Sequence, residues 1–290
     1  MTSKIAILMP GDMGHGVGQA LIAEGHRVIS CLDGRSAHTK ALAAKAGIRD
    51  AGTFAASIAE ADLILSILPS DQAVTQAQAV AEAMKSTGKT PVYVDCNAIS
   101  PMTASTVADV LAPTGSTVID CGIIGLNPIK APPTRFYVSG PDCDAMQTLS
   151  CSAIQVEQVG DQIGQASSLK MVYAAGTKGV WTLQTALLLA AARLDVLDPL
   201  LSELAYSQTK QIEAMRDRVP FLPADAARWV PEMKEIAATF ESAGVTGNFH
   251  EGAADIFAVL AKTPLAEETR ETLDRSRTLE QALAEYVKYL

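Results

Sequence analysis

The sequence has no segment long and apolar enough to span a bilayer. Its longest apolar run in the most hydrophobic region, Ala186 to Ala192, falls far short of the roughly 20 residues required. No membrane role is expected. The five cysteines include no Cys-x-x-Cys pair and the four histidines show no ligand spacing, so neither a disulfide framework nor a metal site is expected. The opening MTSKIAILMPGDMG enters a strand without the basic region and apolar core of a secretory signal, which points to a reducing cytoplasm. Positive charge is also in short supply. With 23 Lys and Arg against 32 Asp and Glu, the net charge of −9 would repel a nucleic-acid backbone, and no basic stripe offsets it. No internal repeat is visible.

What is present is a chain of 290 residues, 48% apolar, enough to bury two cores of ordinary size. The first half alternates short apolar runs with helical patterns. Runs at Lys4–Met9, Arg27–Leu32, Gly47–Asp50, Ala61–Leu68, Val92–Asp95, Thr117–Cys121, Arg135–Ser139 and Ala153–Val159 read as strands, most of them separated by helices. Such alternation predicts a parallel sheet covered on both faces. After Gly160 the pattern becomes helical only. Asp161 to about Val196 reads as one long connecting helix, Pro231 as the first turn of a helix running to Ala243, and Phe249-His250-Glu251 as the start of another. The predicted fold is α/β, with a dinucleotide-binding, Rossmann-type doubly wound sheet over residues 1–160 and an all-α domain over 161–290 that begins with the interdomain helix.

Two stretches carry chemistry. The first is Pro10-Gly11-Asp12-Met13-Gly14, between a buried strand and a helix, where backbone amides and a helix N-terminus can approach a pyrophosphate. Gly11 and Gly14 fit the later part of a GxGxxG fingerprint, but Met9 stands where its first glycine belongs. Context therefore carries the assignment more than the motif does. The second strand leads to Asp33-Gly34-Arg35-Ser36. Asp33 suits the ribose 2′-hydroxyl of NAD, and Arg35 with Ser36 suits the 2′-phosphate of NADP. The basic, hydroxyl-bearing turn favours NADP, with NAD possible. The second stretch surrounds Lys170 on the long helix, among small and apolar neighbours. A lysine there ordinarily lays its stem on the protein and its head in water, so its chemistry rests on the rest of the chain.

These residues resemble a known family, the beta-hydroxyacid dehydrogenases related to 6-phosphogluconate and 3-hydroxyisobutyrate dehydrogenases. The resemblance covers nearly the whole chain. It is carried by Gly11-Asp12-Met13-Gly14, Leu68-Pro69, Asp95 with Ile99-Ser100-Pro101, Asp120 to Gly125 at the substrate loop, and Gly164 followed by Lys170. MPGDMG, GIIG, LKMVYAAGTKG and EMKEIAATF look more narrowly like a branch with a C-terminal domain of unknown function. The resemblance implies an NAD(P)-dependent dehydrogenase or reductase acting on CH–OH of a small molecule, with Lys170 as general acid and base and a homodimer formed through the helical domain. Leu68, Pro69 and Asn97 would border the cofactor.

The chain also departs from the pattern. Ala174 stands where the family places a substrate-binding asparagine, leaving Tyr173 and Thr177 as hydroxyl donors on that face. The substrate loop, with Gly122, Ile123 and Ile124, has isoleucine at the serine position of the family's usual Ser-Gly-Gly, so a small hydroxy acid is a less secure substrate. Asn97 stands where serine or threonine is common and is read as contacting substrate or cofactor. His250 is a candidate substrate contact from the second domain, against ordinary surface use, and Lys178 is read as a solvated or interface lysine. Two alternatives remain: NADPH-dependent imine reduction, and cofactor binding without turnover.

Overall fold

The computed structural model describes residues 2–130, 132–269 and 272–290. The chain forms two compact units, one ending at Met171 and the other comprising Val172–Leu290. In the first, strands β1 (Lys4–Ile7), β2 (Arg27–Ser30), β3 (Arg49–Asp50), β4 (Leu63–Ser66), β5 (Val92–Asp95), β6 (Val118–Ile124), β7 (Thr134–Ser139) and β8 (Ile154–Gly160) form one sheet in the order β3-β2-β1-β4-β5-β6-β7-β8. Helices α1 (Asp12–Ala23), α2 (Ala37–Ala46), α3 (Phe54–Glu60), α4 (Ala73–Thr87), α5 (Pro101–Leu111) and α6 (Asp144–Gln147) connect the strands. Both faces of the sheet are buried because the strands are apolar at successive positions. Ile5 and Ile7 enter one cluster with Val17 and Leu21 of α1, while Ala6 and Ile64 enter the other with Ala77 and Val80 of α4.

All neighbours from β3 through β6 pair in parallel, but β7 runs antiparallel to β6. The sheet is therefore mostly parallel rather than wholly so. The described residues of the connection between β6 and β7 form no helix, and a parallel return would need a longer crossover. β6 also extends further than the sequence pattern suggests. Gly122, Ile123 and Ile124, read as a substrate loop, are strand residues paired with Tyr137, Phe136 and Arg135.

The long helix expected over 161–196 is three pieces: α7 (Gln165–Ala174), a π turn over Ala175–Gly179, and α8 (Val180–Arg193). Gly176 and Gly179 fall in the π turn, where widening the helix costs little side-chain packing. The division between units falls inside α7, rather than before the connecting segment at 160/161.

The second unit continues through α9 (Leu197–Ser207), α10 (Thr209–Arg218), α11 (Pro223–Ser242), α12 (Asn248–Leu260) and α13 (Leu279–Tyr286). Pro231 lies inside α11 instead of opening a new helix. Burial of Trp229, Met233 and Ile236 on either side of it outweighs the lost backbone hydrogen bond. Trp229 meets Trp181 and Phe257, with ring centroids 5.7 and 5.1 Å away. No helix of the described residues is long and apolar enough to cross a membrane.

Candidate active site

Strand order reverses between β1 and β4, and the carboxyl ends of these parallel strands define the crevice where open α/β sheets bind ligands. The glycine loop lies there. Gly11 is the N-cap of α1 and no side chain caps it, so the first amides of that helix are not taken by a capping group. A Cβ on Gly11 would meet nothing within 4 Å, whereas one on Gly14 would come within 2.4 Å of the Met9 carbonyl oxygen. Gly11 thus leaves the approach open and Gly14 permits the tight turn. An open helix start above an unobstructed loop fits a pyrophosphate.

The surroundings hold this loop in place. The His15 ring lies 2.8 Å from the Gly11 carbonyl oxygen, the Asn127 carboxamide donates to the Asp12 carbonyl, and Lys130 pairs with the Asp12 carboxylate at 3.2 Å. Asn127 and Lys130, on the connection after β6, were not singled out from the sequence. Lys130 is basic and half-exposed beside the glycine loop, where it pairs with the Asp12 carboxylate.

Arg35 reaches back over the loop, donating to the Leu8 carbonyl at 3.1 Å and to Met9 Sδ at 3.8 Å. Asp33 is exposed on the preceding turn. Ser36 caps α2 by accepting from the Thr39 amide at 3.2 Å. The turn owes its shape to Asp50, whose carboxylate accepts from the Leu32 and Gly52 amides at 3.2 and 2.9 Å. Those two hydrogen bonds hold the Asp50 carboxyl below the usual range.

Asn97 is only 2% exposed, and its amide is committed within the sheet. Its nitrogen donates to Ser66 Oγ at 3.2 Å and to Asp95 Oδ2 at 3.1 Å, and its oxygen accepts from the Leu68 amide at 2.6 Å. It therefore fixes the Leu68-Pro69 turn at the end of β4. Asp95 and Asp120 stand opposite each other in β5 and β6, both buried. Burial, reinforced by the Asp120 charge, pushes Asp95 up to about 7. Burial also raises Asp120, against four hydrogen bonds donated to it. With more donors, Asp120 is the better holder of the charge, and Asp95 of the proton.

A pH dependence of stability follows. Asp95 binds its proton more tightly folded (about 7) than unfolded (near 3.8), so its stabilising effect is complete below pH 3.8 and is lost as pH rises to 7. The gap corresponds to roughly 4 kcal/mol. Urea unfolding of the wild type should show stability falling from pH 5 to 8, with a shallower fall in Asp95→Asn. Equal slopes in the two proteins would exclude Asp95 as the titrating group.

Lys170 stands at the carboxyl end of β6, where its Nζ donates to the Ile123 carbonyl oxygen. The start of α7 is tied to the sheet by Asp120, which is 1% exposed and accepts from the Gly164 and Ser167 amides at 2.9 Å each and from Ser167 Oγ at 2.5 Å. Ser139 Oγ takes the Ala166 amide at 2.9 Å and donates to Asp120 at 3.2 Å. A Cβ on Gly122 would lie 2.8 Å from the Ala166 carbonyl oxygen and 2.9 Å from Lys170 Cβ, so only glycine lets the helix lie this close. Gly122 is thereby a packing contact. The Ile123 side chain belongs to the core and offers Lys170 only its carbonyl.

The family model for the NAD binding domain of 6-phosphogluconate dehydrogenase matches residues 4–149. The chain belongs to that family. A model for a domain of unknown function, DUF1932, matches residues 191–260. Among curated proteins, an uncharacterised 28.5 kDa protein of Methanothermus fervidus is 26% identical over 193 residues, which is 66% of this chain and 73% of that protein. Three solved structures share the fold. A conserved protein of unknown function, described as structurally similar to 3-hydroxyacid dehydrogenases, is 25% identical, with TM-score 0.64 and coverage of 89% of this chain and 96% of that one. The 3-hydroxyisobutyrate dehydrogenase of Mycobacterium tuberculosis, with L-serine, is 18% identical, with TM-score 0.66 and coverage of 98% and 99%. A reductive aminase of Aspergillus terreus, with NADPH, is 19% identical, with TM-score 0.53 and coverage of 96% and 100%.

Family membership makes this chain a nicotinamide-cofactor oxidoreductase of the dehydrogenase type, and the glycine loop falls within the matched NAD-binding domain. The remaining singled-out residues lie in the second unit. Tyr173 is exposed, Ala174 is buried, and the Thr177 hydroxyl donates to the Ala174 carbonyl at 3.1 Å. His250 is buried against Phe240, their ring centroids 4.4 Å apart. Lys178 is neither solvated nor at an open surface, since it forms a buried ion pair of 2.8 Å with Glu232, a residue the sequence reading passed over. Among the described residues no cluster of His, Cys, Asp or Glu is placed to hold a metal.

Proposed function

We propose that this protein is an NADP-preferring oxidoreductase that interconverts a hydroxyl and a carbonyl carbon on a small molecule, with Lys170 moving the proton. The observation carrying this reading is the anchoring of Lys170 Nζ at the Ile123 carbonyl by a helix tied to Asp120. A bound nicotinamide supplies the hydride acceptor or donor. The protein's own contribution is the proton. The neutral Lys170 amine takes it from the hydroxyl during oxidation, and the ammonium returns it during reduction. A free lysine titrates near about 10.4, so this role requires a site that favours the neutral amine. Ala174 brings no hydrogen-bonding group, which leaves the exposed Tyr173 hydroxyl on the same helix as the substitute substrate contact. The homodimer belongs to the same reading and is supported by the exposed Leu194 and Tyr206 of the helical unit.

Preference for NADP rests on Arg35. Its guanidinium spends two hydrogen bonds on Leu8 and Met9, and the five-donor fork retains capacity for a phosphate beside the loop. Arg35→Ala should weaken NADPH binding by about tenfold or more, the value of one charged hydrogen bond, and leave NADH binding nearly unchanged. Nicotinamide fluorescence reads both. Tighter binding of NADH than of NADPH by the wild type would overturn the preference. Absorbance at the nicotinamide band, followed across hydroxy acids, simple alcohols, aldehydes and imines, tests the reaction class. A second reading, imine reduction, is favoured by Ala174 and by the lack of hydroxyl groups at Ile123 and Ile124. Turnover of imines alone would select it, and cofactor binding with no turnover would leave a binding protein.

A further inference from the structure

The turn after β6 is fastened to the start of α1 more firmly than a surface connection requires. Thr134 of β7 donates its hydroxyl to the Leu126 carbonyl, and the Asn127 carboxamide, 2% exposed, donates to the Asp12 carbonyl. The same carboxamide accepts from the Ile129 amide at 2.9 Å, and the Lys130 amide donates to the Asn127 carbonyl at 2.8 Å. A Cβ on Gly16 would lie 2.0 Å from Asn127 Oδ1, so the carboxamide is seated where only glycine leaves room on the helix. Together these contacts deliver one charged group to the glycine loop. Lys130 Nζ reaches the Asp12 carboxylate at 3.2 Å, and both side chains remain in contact with solvent, at 48% and 40% exposure.

The ion pair alone does not account for this construction, because an exposed pair contributes little to stability. Asp12 also occupies the first turn of α1. A carboxylate there gains from the positive end of the helix dipole, but it competes with any other anion that approaches the same amides. The pyrophosphate of a dinucleotide is such an anion. Lys130 offsets the acid. Its ammonium carries three donors and engages Asp12 through one oxygen, which leaves capacity for a phosphate. Arg35, also basic and beside the loop, is directed at Leu8 and Met9 instead.

We propose that Lys130 is a cofactor-binding residue, donating from its ammonium to the dinucleotide pyrophosphate while Asp12 holds it beside the glycine loop. The proposal rests on the reading of the protein as a nicotinamide-cofactor oxidoreductase with the pyrophosphate at that loop, and both residues lie within the matched NAD-binding domain. The pyrophosphate is common to NADPH and NADH, so Lys130 should serve both alike.

Lys130→Met keeps the apolar stem and removes the charge. By nicotinamide fluorescence on the full chain, it should bind NADPH and NADH each about tenfold more weakly, the value of one charged hydrogen bond. Calorimetry should show the same loss for ADP-ribose, which keeps the pyrophosphate and lacks the nicotinamide. The melting curve without cofactor should not move, since the pair is exposed. Asp12→Asn separates contact from neutralisation: in that background Lys130→Met should still weaken all three ligands by roughly threefold or more. No further loss there would leave Lys130 a counter-charge to Asp12 and overturn the proposal. A loss confined to NADPH would place the lysine at the 2′-phosphate, and a loss absent from ADP-ribose would place it at the nicotinamide; either overturns it. Wild-type protein that binds none of the three ligands would remove the dinucleotide site itself, whereas binding indifferent to Lys130→Met would remove only the role of Lys130.

Discussion

Lys170→Ala is expected to lower turnover by roughly 100- to 10,000-fold, the usual contribution of a positioned acid or base. NADPH affinity and melting temperature should change little. The side chain is partly exposed and holds no part of the apolar core, so its truncation costs little packing. The glycine loop and Arg35 do not use it. Lys170→Arg is the sharper variant, because it keeps the charge and the reach but cannot lose a proton near neutral pH. It should fail as a base in oxidation as completely as alanine does. Steady-state rates on the alcohol or carbonyl compound found by the absorbance screen, with cofactor affinity measured in parallel, make the check. Undiminished turnover in Lys170→Ala would remove lysine from the mechanism. Loss confined to KM would make it a substrate anchor instead.

Much of the first unit was legible in the sequence because the signal is local. A buried parallel strand reads as an apolar run, and the turn needing Gly14 is written in that glycine. What was not legible depends on partners distant in the chain. Whether residues 122–124 form loop or strand is decided by β7, which pairs with them residue for residue. Asn97 reads as a polar group at a strand end, available to a ligand, until Leu68, Ser66 and Asp95 are seen to use it. Lys178 reads as a solvated or interface lysine until Glu232, distant in the chain, is seen to bury it in an ion pair. The π turn escaped notice because its glycines also fit an ordinary helix with close neighbours. One signal could have been used: an acid at the end of a buried strand, as at Asp120, must find donors, and the next helix start is where unpaired amides are available.

Asp120→Ala is expected to have the largest effect on stability, about 3 kcal/mol or more, because it leaves several buried donors without an acceptor at once. The Gly164 and Ser167 amides and the Ser139 and Ser167 hydroxyls all point at this carboxylate. Asp120→Asn should be milder but still harmful, since an amide nitrogen would face donors where one carboxylate oxygen now accepts three hydrogen bonds. Chemical denaturation gives the stability change. Activity measured well below the melting temperature separates stability from positioning. If Asp120 sets where α7 begins, the folded fraction of Asp120→Asn should show a lowered kcat with cofactor affinity preserved, because Lys170 is displaced from Ile123 while the glycine loop is untouched. A variant as stable and active as the wild type would mean that the close contact between Gly122 and α7 is sufficient to place the lysine. An intermediate result has a direct reading: Ser139, which takes the Ala166 amide, would then hold the helix start on its own, and Ser139→Ala in the Asp120→Asn background should complete the loss.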